Sequence, residues 1–213
     1  MRRLPVYLLL DTSASMTGEP IESVNKGVQT LVTALRQDPF ALETAHLSVI
    51  TFDTYAAQVV PLTDLMVFQA PNIIAWGATC LGKALELVSE KIDTEVVKTT
   101  METKGDWKPM VFIMTDGVPT DDWEKGLKIF KTKSVGAIIA CSVGKHAKTD
   151  ILKKITDIVV ELETADERTI SAFFKWVSAS ISTGSQKVES GNDIDLKKSS
   201  ELPPPPPEIN FVD

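Results

Sequence analysis

The sequence has little of what disulfide-rich, membrane-spanning and nucleic-acid-binding proteins depend on. It contains two cysteines among 213 residues, too few for a disulfide framework. No apolar run approaches the roughly 20 residues that a membrane-spanning helix requires. Acidic residues outnumber basic ones by 29 to 22, for a net charge of −7. This balance argues against nucleic acid and anionic membranes as partners.

The few cysteines and histidines also form no metal-binding pattern. Cys80 and Cys141 lie far apart and make no CxxC pair, so we expect two buried thiols in a reducing cytoplasm rather than a disulfide. His46 and His146 lack the spacing of metal ligands, and we expect them on the surface or in caps. The expected localisation is therefore cytoplasmic.

Apolar runs alternate with helical patterns along most of the chain. Runs typical of buried strands cover residues 4–10, 47–52, 110–114, 135–143 and 158–162, and residues 56–60 are expected to pair back as a hairpin. Apolar residues recur at helical spacing over 21–35, 81–92 and 170–181, and Thr120 is expected to cap a further helix. Such alternation predicts an α/β fold, a doubly wound and mostly parallel sheet with helices on both faces.

The composition changes from about residue 183. Gly, Ser, Lys and Asp dominate there, followed by five prolines at 203–207. A proline run favours the extended polyproline II conformation and offers no core. We therefore predict one domain over residues 1–182 and a flexible, proline-rich tail over 183–213. A solubilising role is the favoured interpretation of the tail, with a peptide dock for a partner as the alternative.

Polar residues follow the predicted strands where an open α/β sheet binds its ligands, at the carboxyl ends. Asp11, Ser13 and Ser15 follow the first strand, and Asp116 follows the strand at 110–114. Thr79 opens the second long helix on the same edge. Each residue alone is more typical of a cap or a turn. Three separate loops with hard oxygen donors together predict one site for a divalent cation, with Mg²⁺ favoured over Mn²⁺ or Ca²⁺.

The proportions of the donors indicate what the site does. Two carboxylates and three neutral hydroxyls leave the cation with residual positive charge, and magnesium takes about six oxygen ligands. A Glu or Asp of another protein can therefore replace a water molecule and complete the set. Trp76, beside these loops, is interpreted either as a flank of the partner's entry or as a packing residue.

The motifs resemble the metal-ion-dependent adhesion site (MIDAS) of von Willebrand factor A domains. They are Asp11-Thr-Ser13-Ala-Ser15, Gly77-Ala-Thr79 with Ala84-Leu85, and Thr115-Asp116-Gly117. Within that family the chain is most similar to bacterial TerY-type members, which occur with tellurite-resistance genes. That likeness is carried by Leu-Pro-Val-Tyr-Leu-Leu-Leu-Asp-Thr-Ser from Leu4, Gly-Glu-Pro-Ile-Glu-Ser-Val-Asn from Gly18 and Lys-Gly-Asp-Trp-Lys-Pro from Lys104.

The resemblance implies more than the motifs alone. It implies a six-stranded sheet with one antiparallel edge strand. Separately, the sequence offers no pairing of a catalytic nucleophile with a base, so we expect no enzymatic activity. It places Ser13, Ser15 and Thr79 on or near the ion, with Asp11 and Asp116 often acting through water. The implied role is a scaffold in a tellurite or stress-response complex with a protein kinase and a PP2C-type phosphatase. Ala14 replaces the usual Gly between the two serines, so this loop needs ordinary backbone angles.

Three other functions compete with the adhesion site. Residues 77–84 nearly spell a P-loop with Lys83 on the phosphates, but Ala84 stands where the magnesium-binding hydroxyl belongs. Asp11 could accept a phosphoryl group in a metal-dependent phosphotransfer enzyme, but Ser13 occupies the place of the acid/base Asp. The third alternative is a metal that only stabilises the fold.

Overall fold

Seven strands form one sheet in this computed structural model, which describes residues 2–144, 148–189 and 199–212. The strands are β1 (Leu4–Asp11), β2 (Ala45–Phe52), β3 (Ala56–Asp64), β4 (Met110–Thr115), β5 (Ala137–Val143), β6 (Val159–Leu162) and β7 (Asn210–Phe211). Their order across the sheet is β3-β2-β1-β4-β5-β6-β7. The pairs from β2 to β6 are parallel, whereas β3 and β7 are antiparallel to their neighbours.

Helices cover both faces of the sheet. They are α1 (Glu19–Arg36), α2 (Pro39–Thr44), α3 (Leu81–Glu95), α4 (Trp123–Phe130), α5 (Thr149–Ile155) and α6 (Glu167–Glu189). Helices α1, α2 and α6 pack on one face, and α3, α4 and α5 on the other. Within the described ranges, no helix is long and apolar enough to cross a membrane.

Strand β1 lies inside the sheet, between β2 and β4, and contributes to two separate cores. Its even-numbered side chains, such as Leu8, join the core under α1 and α6, where Phe174 is fully buried. Its odd-numbered side chains, such as Leu9, join the core under α3, α4 and α5. The alternation of strand side chains explains why the apolar run is continuous, since both faces are buried. The predicted doubly wound α/β fold is confirmed.

The sheet has one strand more than the six that the resemblance implied. The additional strand is β7, which pairs with β6 through Phe211 opposite Val160 and Asn210 opposite Glu161. The sheet therefore carries an antiparallel strand at each edge. A two-residue strand has no hydrophobic period, so the sequence pattern could not indicate it.

Part of the predicted tail packs on the domain. Helix α6 continues to Glu189, past the predicted boundary at residue 182. Leu202 and Ile209 are buried, and Trp176 donates its indole N–H to the carbonyl of Pro203 at 2.9 Å. The expectation that the tail offers nothing to a core is therefore wrong for residues 199–212. A polyproline segment keeps its carbonyls free, so it can accept hydrogen bonds while its rings pack on an aromatic side chain. The division at residue 182 stays a prediction.

The cysteines and the described histidine lie outside the candidate site's chemistry. Cys80 and Cys141 are both free and buried. The Nδ1 atom of His46 lies 3.3 Å from the carbonyl oxygen of Thr44, and its Nε2 atom lies 3.9 Å from a carboxylate oxygen of Asp64. The expectation of a surface or capping role for His46 stays a prediction. His146 lies outside the described residues.

Candidate metal centre

The strand order brings the predicted site residues to one edge. Strands β1 and β4 are neighbours, with Leu10 opposite Met114. Asp11 is the last residue of β1 and Asp116 directly follows β4, so the two carboxylates stand at adjacent strand ends. The chain winds in opposite directions on the two sides of this pair, which makes it the topological switch point of the sheet. Ligands of open α/β sheets bind in the crevice that forms there.

A chain of hydrogen bonds links two serines and one carboxylate at this edge. The hydroxyl oxygens of Ser13 and Ser15 lie 3.0 Å apart, and Ser15 donates to Oδ1 of Asp116 at 2.7 Å. A short 3₁₀ turn, Ala14–Met16, turns the two serines toward each other. Ala14 has a negative φ, since every positive φ angle among the described residues belongs to a glycine. The methyl group is therefore accommodated without strain.

Asp11 forms the buried end of the site. Its side chain is 1% exposed. Oδ1 accepts the backbone N–H of Ser13 at 2.8 Å, and Oδ2 accepts the hydroxyl of Thr115 in a short hydrogen bond. Burial raises the pKa of Asp11 to about 6, although both hydrogen bonds lower it, and the negative charge of Asp116 adds to the rise. A buried carboxylate of this kind is one that a nearby cation stabilises.

Thr79 approaches the same group from the loop before α3. Its side chain is buried, and its backbone carbonyl accepts two hydrogen bonds from Thr120, at 2.8 Å from the N–H and 3.2 Å from the hydroxyl. A Cβ atom added at Gly117 would lie 2.9 Å from the Thr79 hydroxyl oxygen. Thr79 therefore lies against the residue that follows Asp116, and this approach requires glycine at position 117.

The structure thus brings all five predicted residues to one place. Asp11, Ser13, Ser15 and Asp116 are connected through hydrogen bonds, and Thr79 joins them across Gly117. Their assignment as metal ligands stays a prediction. The sequence interpretation missed Thr115 as a partner of Asp11, although it stands in the Thr-Asp-Gly motif.

The loop after β4 differs from the sequence prediction in a way that affects the site. Thr120 was expected to cap a helix, but Asp122 caps α4 by accepting the N–H of Lys125 at 3.3 Å. Thr120 contacts Thr79 instead. Asp121 accepts the N–H groups of Gly82 and Lys83 at 3.1 and 2.9 Å, so it caps the N-terminus of α3. Capping by a residue 38 or 39 positions away gives no local sequence signal.

The residues present fit a hard divalent cation. Across the part of the chain that the structure describes, no three His, Cys, Asp or Glu side chains are grouped to hold a metal, which argues against a cage of carboxylates. The edge offers three hydroxyls and two carboxylates, which are oxygen donors of the kind that magnesium takes. Because desolvation raises the pKa of Asp11, a positive charge beside it would favour its ionised form.

The described surface also has a groove away from the candidate site. It has a volume of about 600 Å³ and runs between α6 and residues 203–208, with Trp176 and Pro203 among its lining residues. No residue of the candidate site lines it. The convergence of the loops, rather than the depth of a cavity, therefore identifies the site.

Comparisons with known proteins agree with this architecture. The model of the von Willebrand factor type A domain matches residues 6–175. A von Willebrand factor type A structure from Catenulispora acidiphila superimposes with a TM-score of 0.66 at 17% identity, covering 85% of this chain and 43% of that one. The pilus adhesin SpaC from Lactobacillus rhamnosus GG, in its open conformation, gives 0.65 at 15% identity, covering 86% and 30%.

A third structure has an occupied metal site. Proximal thread matrix protein 1 from the mussel byssus, with a zinc-occupied MIDAS motif, gives a TM-score of 0.60 at 19% identity, covering 84% of this chain and 48% of that one. Identities this low establish the fold, and this chain spans less than half the length of each structure. A search of curated protein sequences found no match. Because the family model covers most of the chain, the protein belongs to the von Willebrand factor type A domain family.

Proposed function

We propose that this domain is a metal-dependent protein-interaction module that acts as a scaffold. One divalent cation would be held by the five side chains Asp11, Ser13, Ser15, Thr79 and Asp116. The observation that carries the proposal is the hydrogen-bonded chain from Ser13 through Ser15 to Asp116. Ser13 is buried, whereas Ser15 is exposed and Asp116 is half-buried, so this row of oxygen donors runs from the interior to the surface.

The donor set supports capture of an acidic group. When bound, the cation would supply a positive charge at the surface that attracts a carboxylate of the partner. Five side-chain donors are one fewer than the roughly six oxygen ligands of magnesium, and three of them are neutral. A Glu or Asp side chain of the partner would supply both the missing oxygen and the missing negative charge.

The inner residues would keep the outer ones in position. Asp11 holds the N–H of Ser13 and so orients the start of the serine loop. Thr115 in turn donates to Asp11, which ties the loop after β1 to the end of β4. This arrangement supports a preformed site, which loses less entropy on binding than a flexible one.

The identity of the ion and the cellular context are extensions of this proposal. Mg²⁺ is favoured by the hydroxyl and carboxylate donors, with Mn²⁺ and Ca²⁺ as alternatives. A cytoplasmic tellurite or stress-response complex with a protein kinase and a PP2C-type phosphatase rests on the resemblance to TerY-type proteins.

A metal that only stabilises the fold is the second candidate function. The burial of Asp11, at 1% exposure, favours it, because a cation beside a desolvated carboxylate stabilises the folded state. The exposed position of Ser15 favours the interaction module instead, since a purely structural site has no need of surface donors.

The contacts weigh against the enzymatic alternatives. A phosphoryl-accepting Asp11 would have to reach its substrate, yet it is buried and hydrogen-bonded on both oxygens. A P-loop lysine would point at phosphate, whereas the Lys83 ammonium donates to the carbonyl of Thr54 at 2.8 Å. We therefore propose that the domain is not an enzyme.

Calorimetric titration with MgCl₂ and MnCl₂ tests the metal site. We expect one ion per chain, and a loss of affinity of about tenfold or more in Asp116→Asn and Ser15→Ala. Asp157→Asn and Ser134→Ala are matched controls. Both residues are exposed and lie just before the amino ends of β6 and β5, at the end of the sheet opposite to the site. Equal affinities in all four variants would contradict the assignment.

Capture experiments then separate the two candidate functions. Immobilised wild-type domain is expected to retain a protein from lysate in Mg²⁺ and to release it in EDTA, and Asp116→Asn is expected to retain none. If Asp116→Asn loses the ion and thermal stability but keeps the same captured protein, the structural role is the correct one.

A further inference from the structure

Three large apolar side chains are exposed around the candidate metal centre. Tyr55 is 63% exposed, Trp76 56% and Val118 41%. They come from three different connections: the turn between β2 and β3, the loop before α3 and the loop after β4. Exposed aromatic residues grouped at one place on a surface are typical of binding sites.

Each of these residues is tied to the backbone of the site. The backbone N–H of Trp76 donates to the carbonyl of Thr12 at 2.8 Å, so the loop after β1 fixes the position of Trp76. The backbone N–H of Tyr55 donates to the Asp53 carboxylate at 3.0 Å, and the backbone carbonyl of Tyr55 accepts the N–H of Asp53 at 2.8 Å. Val118 directly follows Gly117, which contacts Thr79. Trp76 and Val118 therefore lie in the loops that carry Thr79 and Asp116. Tyr55 lies in a neighbouring turn, which is joined to the Thr79 loop because the backbone carbonyl of Asp53 accepts the N–H of Cys80 at 2.9 Å.

A positive charge lies beside these exposed side chains; we call Tyr55, Trp76 and Val118 the apolar rim of the site. The Lys83 ammonium is 5.1 Å from the centre of the Tyr55 ring and is held by the carbonyl of Thr54. An ammonium over an aromatic face is in a favourable position. The rim thus combines aromatic and aliphatic surface with a cationic group, which matches an anionic partner that also presents apolar side chains.

From this arrangement we infer that the partner is a protein segment in which an Asp or Glu is flanked, within two residues, by an aromatic or branched aliphatic residue. The inference rests on the proposed function, because the acidic residue is the one that the metal site would take. Tyr55, Trp76 and Val118 would cover the flanking residue and exclude water around the carboxylate. Aromatic residues at the centre of an interface contribute much of its affinity.

Peptide libraries test this inference. One library carries nonapeptides with a central Glu and random flanks, and its matched library carries a central Gln. With the wild-type domain in Mg²⁺, we expect the Glu library to be retained about tenfold over the Gln library. The retained peptides are expected to be enriched several-fold in Trp, Tyr, Phe, Leu or Ile within two positions of the Glu.

The double variant Tyr55→Ser/Trp76→Ser should separate the rim from the metal. We expect it to prefer Glu over Gln still, but with apolar enrichment reduced to that of the input library. The control variant Met66→Ser/Val67→Ser alters two exposed apolar residues that follow β3, beside the amino end of β2 and away from the site. It should keep both the Glu preference and the apolar enrichment of the wild type. Unchanged melting temperatures would show that both variants are folded.

The outcomes distinguish this inference from the proposed function. A Glu preference in the wild type without apolar enrichment, or with the same enrichment in the rim variant, overturns the inference alone. Absence of any Glu preference, or a preference that survives EDTA, overturns both.

Discussion

Gly126 of α4 lies directly against the backbone of Gly82 in α3. A Cβ atom added at Gly126 would come within 2.3 Å of the Gly82 carbonyl oxygen, and one added at Gly82 would lie 2.7 Å from the Cα atom of Trp123. The two helices therefore touch backbone to backbone near their N-termini. This contact fixes the start of α3, and with it Thr79, relative to the loop that carries Asp116.

We predict that Gly126→Ala destabilises the domain. In a helix interior this change normally stabilises by about 1 kcal/mol, but the neighbouring atom is a backbone oxygen that cannot turn away. We expect a net loss of about 1–3 kcal/mol in urea unfolding and weaker Mg²⁺ binding. Lys128→Ala, at an exposed position of the same helix, is the control. A stabilised Gly126→Ala variant would show that α3 and α4 can separate without cost.

Asp121 is predicted to support the metal site without contacting the ion. Asp121→Ala removes the cap of α3, which should cost about 1 kcal/mol of stability and lower Mg²⁺ affinity because Thr79 precedes that helix. Asp122→Ala removes the cap of α4 and should cost similar stability with little change in affinity. Calorimetric titration and urea unfolding measure both quantities. Equal affinities in the two variants would refute the positioning role of Asp121.

Burial of Asp11 predicts an unusual pH dependence in the absence of metal. Its pKa of about 6 in the folded state exceeds the ordinary 3.8, so the folded state binds this proton more tightly than the unfolded state. The resulting stability is present below pH 4 and is lost as pH rises through 6, by roughly 3 kcal/mol.

Asp11→Asn removes that dependence. Its amide oxygen can still accept the N–H of Ser13, and its amide N–H can donate to the Thr115 hydroxyl, which reverses the direction of that hydrogen bond. In EDTA at pH 7.5 we expect this variant to be more stable than the wild type, with the difference shrinking as pH falls toward 4. Urea unfolding between pH 4 and 8 measures it, and the exposed Asp157→Asn should follow the wild type. If Asp11→Asn is the less stable protein at pH 7.5 in EDTA, burial of the charge is not what raises the pKa.

The packing of the C-terminal segment predicts that Ile209 contributes to stability. Ile209 is 4% exposed, and Ile209→Ala should cost about 2 kcal/mol or more. Ile74, at 71% exposed, offers a matched control, and Ile74→Ala should stay within about 0.5 kcal/mol of the wild type. Denaturant unfolding checks the pair, and equal effects would mean that residues 199–212 do not dock in solution.

Local patterns were enough for most of the fold. The apolar run at residues 4–10 predicted a strand buried on both faces. The helical spacing of apolar residues predicted α1 and α3 with small errors at their ends, and α6 without its last eight residues. The short helices α2 and α5, of six and seven residues, escaped prediction because so few turns carry no clear period.

The sequence by itself determined which residues could form the site. Asp11, Ser13, Ser15 and Asp116 are recognisable because they stand where buried strands end, and Thr79 because it opens a helix on the same edge. Only the tertiary structure decided how they are held, through the hydrogen bond from Thr115 to Asp11, the cap that Asp121 forms on α3 and the contact of Gly126 with Gly82. It also decided that the segment with β7 packs on α6. These contacts join residues far apart in the chain, and a hydrogen bond or a close approach between distant backbones leaves no period in the sequence that could reveal it.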